Sequence, residues 1–309
     1  MIEFRDLRCL AAVAETGSVS AASRKLNVTQ PAMSAAIKRL ETDLKVRLID
    51  RHSRGVSLTE EGKFVLLKSY GIFREMAEIS SVVHNFAQAP MGTVRLGLPT
   101  TVAGGLIPAF VPQLNARYPL VKLHIVEAMS GALAEMLQLG RLDLAVLFDV
   151  QPMPGLQSQP ILREPIRLLV NAGHPLADRN SVRLEEITRL RLVMPSDANT
   201  IRKYVNAVCQ AEGLTLDVKA DVDSLPGIAS LVRLGYCSVL PVFLFGDDIR
   251  AGRIKAIEIT RPDLSWTLHL ASRDDAIRPR ASLATGRLLT DICKELVESG
   301  AWPAELDTR

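Results

Sequence analysis

The run Gly17-Ser18-Val19-Ser20-Ala21-Ala22-Ser23-Arg24-Lys25-Leu26-Asn27-Val28-Thr29-Gln30-Pro31-Ala32-Met33-Ser34 decides how the first part of the chain folds. Upstream of it, Phe4, Leu7, Leu10, Ala11 and Ala14 fall at helical spacing, which predicts a helix over 4–16. Gly17 ends that helix, where a left-handed residue is needed. Ser18 is placed to cap a short second helix, Val19 to Leu26. Asn27-Val28 is a tight connection. Thr29 then caps a third helix running to about Leu44, with Pro31 in its first turn, where the missing N–H costs little. Helix, four-residue turn, helix is the helix-turn-helix pattern. Ala21, Ala22, Ala32 and Ala36 are small where the helices cross, and Val28, Met33, Ile37 and Leu40 supply the shared apolar face. The other side of the third helix carries Gln30, Ser34, Lys38 and Arg39, which can reach base edges or phosphates from a major groove. A helical bundle with no nucleic acid is the plainer reading, and the polar outer face argues against it.

Working outward, Val46 to Arg51 and Val56 to Thr59 read as two short strands around a turn containing Gly55. A basic hairpin beside a recognition helix is a wing, with Arg51 and Arg54 its expected backbone contacts. Thr59-Glu60-Glu61 then opens a long helix, with a capping hydroxyl and two acids at the positive end. No proline interrupts it before Pro90, and about 29 residues make a rod of about 43 Å. One apolar stripe is Val65, Ile72, Met76, Ile79, Val83 and Phe86; the other is Leu66, Tyr70, Phe73 and Ala77. Such a helix cannot cover itself, so dimerisation is expected, against the alternative of packing on its own domain.

Charge supports a polyanion partner for this region. Of the net +3 over 309 residues, all lies in residues 1–90, with 13 Lys and Arg against 10 Asp and Glu. The 48% apolar and 23% charged composition is that of a globular protein and excludes disordered classes. The longest near-apolar run, Val102 to Pro112, is far short of the ~20 residues a bilayer requires. With a charged N-terminal stretch, no signal peptide or membrane segment is expected, and a cytoplasmic location is. Cys9, Cys209, Cys237 and Cys293 form no close pair and read as buried thiols.

Ala89-Pro90-Met91-Gly92 is a hinge, and from Thr93 the pattern alternates strand and helix, which argues α/β. Strands are expected at 93–98, 122–127, 144–148, 166–171, 190–194, 217–222, 238–240, 254–259 and 266–272. Helices are expected at 133–139, 200–213, 224–234 and 280–299, and one near 102–117 that Pro108 and Pro112 weaken. The fold class is thus α/β behind a winged helix-turn-helix. The expected domains are 1–59 for the winged helix-turn-helix, 60–89 for the long helix and 90–309 for the α/β part.

Phe4 to Leu10, Gly17-Ser18-Val19, Thr29-Gln30-Pro31-Ala32-Met33-Ser34 and Arg54-Gly55-Val56-Ser57-Leu58-Thr59-Glu60-Glu61-Gly62 closely resemble the N-terminal domain of LysR-type transcriptional regulators. Val94-Arg95-Leu96-Gly97, Tyr118-Pro119 and Gly140-Arg141-Leu142-Asp143-Leu144-Ala145 resemble that family's effector domain. Leu98-Pro99-Thr100 with Met129-Ser130-Gly131 looks most like its nitrogen-assimilation-control-like branch. The chain departs from the family in having Lys45 at a usual glycine, Ile49 at a usual phenylalanine, and Ala35 where many members carry a long polar side chain.

The resemblance implies a periplasmic-binding-protein-like effector domain, with subdomains of about 92–162 plus 267–309 and about 163–266. It implies a homodimer or homotetramer on inverted repeats in double-stranded DNA, with RNA polymerase as a further partner. It assigns DNA contact to Thr29, Gln30, Pro31, Ser34, Lys38, Arg39, Arg51 and Arg54. At the cleft, Thr100 and Thr101 after the first strand, Ser130 before a helix, and Ser196, Thr200 and Arg202 around another helix start would suit a small carboxylate effector. The alternatives are plain N-capping for the hydroxyls and a surface ion pair for Arg202. Phe148 and Phe243 are either cleft lining or core. Catalytic strings such as GxSxG, GxxxxGK and HExxH are absent, and His52, His84, His124, His174 and His269 show no ligand spacing, so no enzyme activity, metal or cofactor is expected. A ligand-binding or enzymatic α/β protein whose N-terminal domain serves assembly only is the alternative.

Overall fold

The structure, a computed structural model, describes residues 2–52, 55–84, 89–149, 153–274 and 278–307. The chain falls into two compact units, Met1–Phe86 with Gln138–Arg141, and Ala87–Leu137 with Leu142–Arg309.

The first unit contains α1 (Phe4–Thr16), α2 (Val19–Lys25), α3 (Gln30–Leu44), β1 (Ile49–His52), β2 (Gly55–Leu58) and α4 (Glu60–His84). The caps form where the residue types require them. Gly17 is left-handed at φ 63°. Ser18 Oγ accepts the Ala21 N–H at 3.3 Å and Thr29 Oγ1 that of Ala32 at 3.4 Å. Leu10, Val13, Ala22, Met33, Ile37, Leu40 and Leu48 form the core. The wing is narrower than the sequence reading, with β1 starting at Ile49 and paired antiparallel with β2. Its base is stitched to the α1–α2 turn, where the Val56 N–H donates to Gly17 O at 2.9 Å. Gly62 lies so close to Leu48 that a Cβ there would collide with the Leu48 carbonyl. The two stripes of α4 behave differently. Leu66 is buried and Phe73 meets Phe4 edge-on at 5.2 Å, packing on the unit's own core. In the other stripe Val65 packs on the same core but Ile72 and Met76 stay 44% and 47% exposed, and Phe64, outside both stripes, is 61% exposed. The last expected residues of the linker helix, and Arg54 of the wing, lie outside the described residues.

The second unit runs β3 (Gly92–Leu98), α5 (Thr100–Arg117), β4 (Val121–Glu127), α6 (Ser130–Gln138), β5 (Leu144–Phe148), β6 (Leu156–Asn171), β7 (Ser181–Arg183), α7 (Leu184–Ile187), β8 (Leu192–Met194), α8 (Thr200–Ala211), β9 (Val218–Asp221), α9 (Leu225–Arg233), β10 (Ser238–Pro241), a 3₁₀ turn (Phe243–Phe245), α10 (Gly246–Arg250), β11 (Ile254–Thr260), β12 (Ser265–Arg273), α11 (Arg280–Glu298) and β13 (Glu305–Leu306). The main sheet has the order β4-β3-β5-β12-β6-β11-β7, with β3 parallel to both β4 and β5. The long strand β6 serves both halves of the sheet. Its residues 156–165 pair with β12, and its residues 166–171 pair with β10 and β11. A small parallel sheet, β8-β9, carries α8 and α9. Helix α5 forms with Pro108 and Pro112 inside it, so the prolines that weaken the sequence expectation do not break it. Its buried Val102, Leu106, Phe110 and Leu114 anchor it on the core, and Gly104 stands four residues before Pro108, where the proline ring presses on the preceding turn.

Candidate nucleic-acid interface and ligand cavity

The outer face of α3 is open. Thr29, Gln30, Pro31 and Lys38 are exposed and Ser34 is half-buried, while Met33, Ala36, Ile37 and Leu40 on the opposite side are buried. The first-turn N–H groups, the Gln30 amide and the Ser34 hydroxyl therefore stand together at the helix start. Arg51 is exposed on the wing strand. Arg39 behaves differently from its sequence assignment. Its Nε and Nη2 donate to the buried Asp6 carboxylate at 2.9 and 2.6 Å, so its fork ties α3 to α1. Glu41 also works within the fold, its Oε1 accepting the Leu48 N–H at 2.9 Å and so closing the turn from α3 to the wing. Lys45 is left-handed at φ 57°, the conformation a glycine adopts more easily.

The second unit holds a cavity of about 380 Å³. It is built at the C-terminal ends of strands, where helices begin, as open α/β sheets place their ligand crevices. Pro99, Thr100 and Thr101 come from the β3–α5 junction, Ala128, Met129 and Ser130 from β4–α6, Pro195, Asn199, Thr200 and Ile201 from β8–α8, and Asp223 and Leu225 from β9–α9. Phe148 ends β5 and Trp266 begins β12; their rings stack at 3.6 Å and 16°, forming one aromatic wall. Four helix starts thus open onto one space. Among the described residues, the buried Thr101 hydroxyl has no hydrogen-bond partner.

Of the expected effector residues, Thr100, Thr101, Ser130, Phe148 and Thr200 come together here. Arg202 and Ser196 do not line it. The Arg202 guanidinium is turned the other way, 3.5 Å from Asp197 and 3.5 Å from Asp221, with Nε donating to Asn206 Oδ1 at 3.2 Å. Arg202 thus forms the ion pair of the alternative reading, but as a buried side chain rather than a surface one. Ser196 contributes its backbone N–H to Asp223 Oδ1 at 2.9 Å. Phe243 is buried on Trp302, at 3.9 Å and 2°, and is core. The one charged side chain among the lining residues is Asp223, which the sequence reading missed. Its signal was available, since Asp223 directly precedes the N-cap Ser224, whose Oγ accepts the Gly227 N–H.

Burial keeps the thiols protonated. The pKa of Cys237 is pushed up to about 11 and that of Cys293 to about 12, with Cys9 and Cys209 also raised. Among the described residues, no three His, Cys, Asp or Glu side chains gather as a metal site, and no helix is long and apolar enough to cross a membrane.

A helix-turn-helix head with a wing, joined to an α/β unit with a walled cavity, defines the class: a DNA-binding regulator with an effector domain. Comparison with known proteins agrees. Residues 4–63 match the family described as "Bacterial regulatory helix-turn-helix protein, lysR family", and residues 87–294 match "LysR substrate binding domain". The chain belongs to the LysR family of transcriptional regulators. It is 28% identical over 305 residues to the nitrogen assimilation regulatory protein nac of Escherichia coli, covering 97% of this chain and 99% of the relative. It is 29% identical over 234 residues to a hydrogen peroxide-inducible genes activator of Dickeya chrysanthemi, covering 76% and 77%. Among solved structures, a full-length OxyR variant from Pseudomonas aeruginosa superposes with a TM-score of 0.74 at 23% identity, covering 94% of this chain and 97% of that one. The relatives are transcriptional regulators rather than enzymes.

Proposed function

We propose that this regulator reads an inverted repeat in double-stranded DNA through α3 and switches when a small molecule fills the cavity of its second unit. The observation that carries the first half is the open face of α3, where Thr29, Gln30, Pro31 and Lys38 are exposed and Ser34 is half-buried; Arg51 of the wing is exposed as well. Gln30 and Ser34 suit base edges, Pro31 a thymine methyl or sugar, and Lys38 and Arg51 phosphates. Arg39 acts chiefly by fixing α3. The exposed Phe64 and Ile72 of α4 support a dimer through the linker helix, which would supply the two half-site readers. A dimer of dimers, and contact with RNA polymerase from the DNA-bound form, extend the same reading. The protein would work in the cytoplasm with the chromosome.

For the effector, the first turns of α5 and α6, with the hydroxyls of Thr100, Thr101 and Ser130, suit a carboxylate. With Arg202 engaged elsewhere, no side-chain cation assists. Asp223 suits a donor on the same ligand and disfavours a second negative charge. Phe148 and Trp266 suit an apolar body. The strands β6 and β12 support subdomains of about 92–162 plus 267–309 and about 163–266 that hinge around the cavity. The effector then shifts the population between two arrangements by its difference in affinity for them. Peroxide sensing through a thiol is not part of this reading, because the reactive form is the thiolate and burial opposes it at all four cysteines.

The testing experiment is selection from random-sequence DNA by the full-length protein beside Gln30→Ala/Ser34→Ala. An inverted repeat enriched by the wild type and lost in the variant is expected. Enrichment indifferent to those residues, or none, overturns the reading in favour of a ligand-binding protein whose head serves assembly.

A further inference from the structure

Glu164 lies on β6 with no solvent exposure. Trp266 Nε1 donates to its Oε2 at 3.1 Å and Trp302 Nε1 to its Oε1 at 3.0 Å, and the backbone N–H of Phe243 adds a third bond. The donors come from three separate stretches: the start of β12, the segment after α11 and the 3₁₀ turn. Trp266 is also the wall of the cavity, stacked on Phe148. Trp302 is stacked on Phe243, which closely approaches Gly105 of α5. One carboxyl therefore joins the cavity wall to a second aromatic pair outside it.

Three donors suit the ionised carboxylate, which can only accept. Full burial opposes ionisation more strongly, and the balance lifts the pKa of Glu164 to about 7. Among the described residues, no charged side chain shares in that balance. On β6, Arg163 reaches Asp263 at 3.7 Å and Arg167 reaches Glu258 at 3.8 Å. By the 3₁₀ turn, Asp247 pairs with Arg250, and Asp248 pairs with Arg233 and Arg253. On β12, His269 has Asp149 and Asp307 as its charged neighbours. On the C-terminal segment, Glu305 is exposed.

We propose that Glu164 is a positioning residue of the cavity: it sets the Trp266 indole and passes its own protonation state to that wall. The proposal rests on the cavity being the effector site. Protonation gives one carboxyl oxygen an O–H, removes the negative charge and lowers its acceptor strength, so the N–H···O bonds that hold the two indoles weaken. The aromatic pairs attached to those indoles then shift. Effector affinity would follow pH through Glu164, although no part of Glu164 lines the cavity.

The protein has two tryptophans, so full-length Trp302→Phe carries Trp266 alone. Its emission maximum and acrylamide quenching are followed between pH 5.5 and 9 without DNA or effector. Glu164→Gln and His269→Asn are added separately in the same background, and far-UV circular dichroism monitors folding. A sigmoidal change is expected with a midpoint at or above 7, since one donor to the ionised form is gone. It should vanish with Glu164→Gln and survive His269→Asn. A flat response in Trp302→Phe, a transition that survives Glu164→Gln, or one that disappears with His269→Asn overturns the proposal. Should Glu164→Gln not fold, Glu164→Asp replaces it; a midpoint moved by at least half a pH unit supports the proposal and an unmoved one overturns it. No DNA or effector is in the tube, so failure here leaves the regulator reading standing. Failure of the DNA selection likewise leaves this titration readable.

Discussion

The face of α3 and the lining of the cavity treat charge in opposite ways. On α3, Lys38 and the first-turn polar groups project outward, and the one arginine among them is tied inward to Asp6. In the cavity, hydroxyls, helix starts and aromatic rings are presented, while the nearby arginine is neutralised by Asp197 and Asp221. The difference matches the two ligands. DNA is a polyanion whose phosphates are met at the surface, so exposed cations and donors serve it. A small molecule in a mostly apolar cavity is oriented by a few fixed dipoles, and an unpaired guanidinium there would need a partner of its own when the site is empty.

The largest expected effect breaks the α3 side of this comparison. Gln30→Ala with Ser34→Ala should weaken selective binding by roughly 2–6 kcal/mol, counting one bidentate contact, that of Gln30, at about 1–3 kcal/mol in each of two half-sites. Affinity for random DNA should hold, as competition titrations at fixed salt would show. A comparable loss on both sequences would make those residues phosphate contacts.

Next come two stability effects of about 3 kcal/mol, one in each unit. Gly62→Ala forces a methyl against the Leu48 carbonyl and should destabilise the head by about 3 kcal/mol, as overpacking does. Urea unfolding would read it, and a loss below 1 kcal/mol would mean the start of α4 gives way easily. In the other unit, the folded Glu164 holds its proton up to about pH 7, against an ordinary value of 4.5. Between those values the folded state binds more protons than the unfolded one, so stability falls as pH rises and then levels off. At 1.36 kcal/mol per pH unit the full change is about 3 kcal/mol. Glu164→Gln should remove that slope, which urea midpoints at pH 5 and 8 would reveal. The smallest effect is Lys45→Gly, which relieves a left-handed residue and should stabilise the head by about 0.5–1 kcal/mol. An unchanged melting temperature would show that Lys45 is held there without strain.

Legibility in the sequence follows the range of the forces involved. Helices α1 to α3 were readable because capping and apolar spacing are local, and Gly17, Ser18 and Thr29 each perform the expected cap. The first half of β6 was not. The sequence expectation starts this strand only at 166; Gln157, Ser158, Gln159 and two prolines, Pro160 and Pro165, carry no local strand signal, and pairing with β12 makes them strand, with a register shift between Leu268 and His269. Helix α5 was obscured by its prolines for the same reason, since packing outweighs local propensity. At the sites, the hydroxyls were legible because they mark helix starts. The commitments of Arg39 and Arg202 were not, because Asp6 lies 33 residues from Arg39 and Asp221 lies 19 from Arg202. Trp266 and Glu164 were invisible as a pair, being 102 residues apart.

The pairing of Pro165 with Ser265 across β6 and β12 has a practical meaning. The stretch between them builds the other half of the sheet and comes back at an adjacent rung, with cut ends about 5 Å apart. It is a cassette with a single seam. Exchanging residues 166–264 for the equivalent stretch of a relative should move half of the cavity's chemistry between proteins while leaving the head, the linker and the recipient's own helix starts as they were.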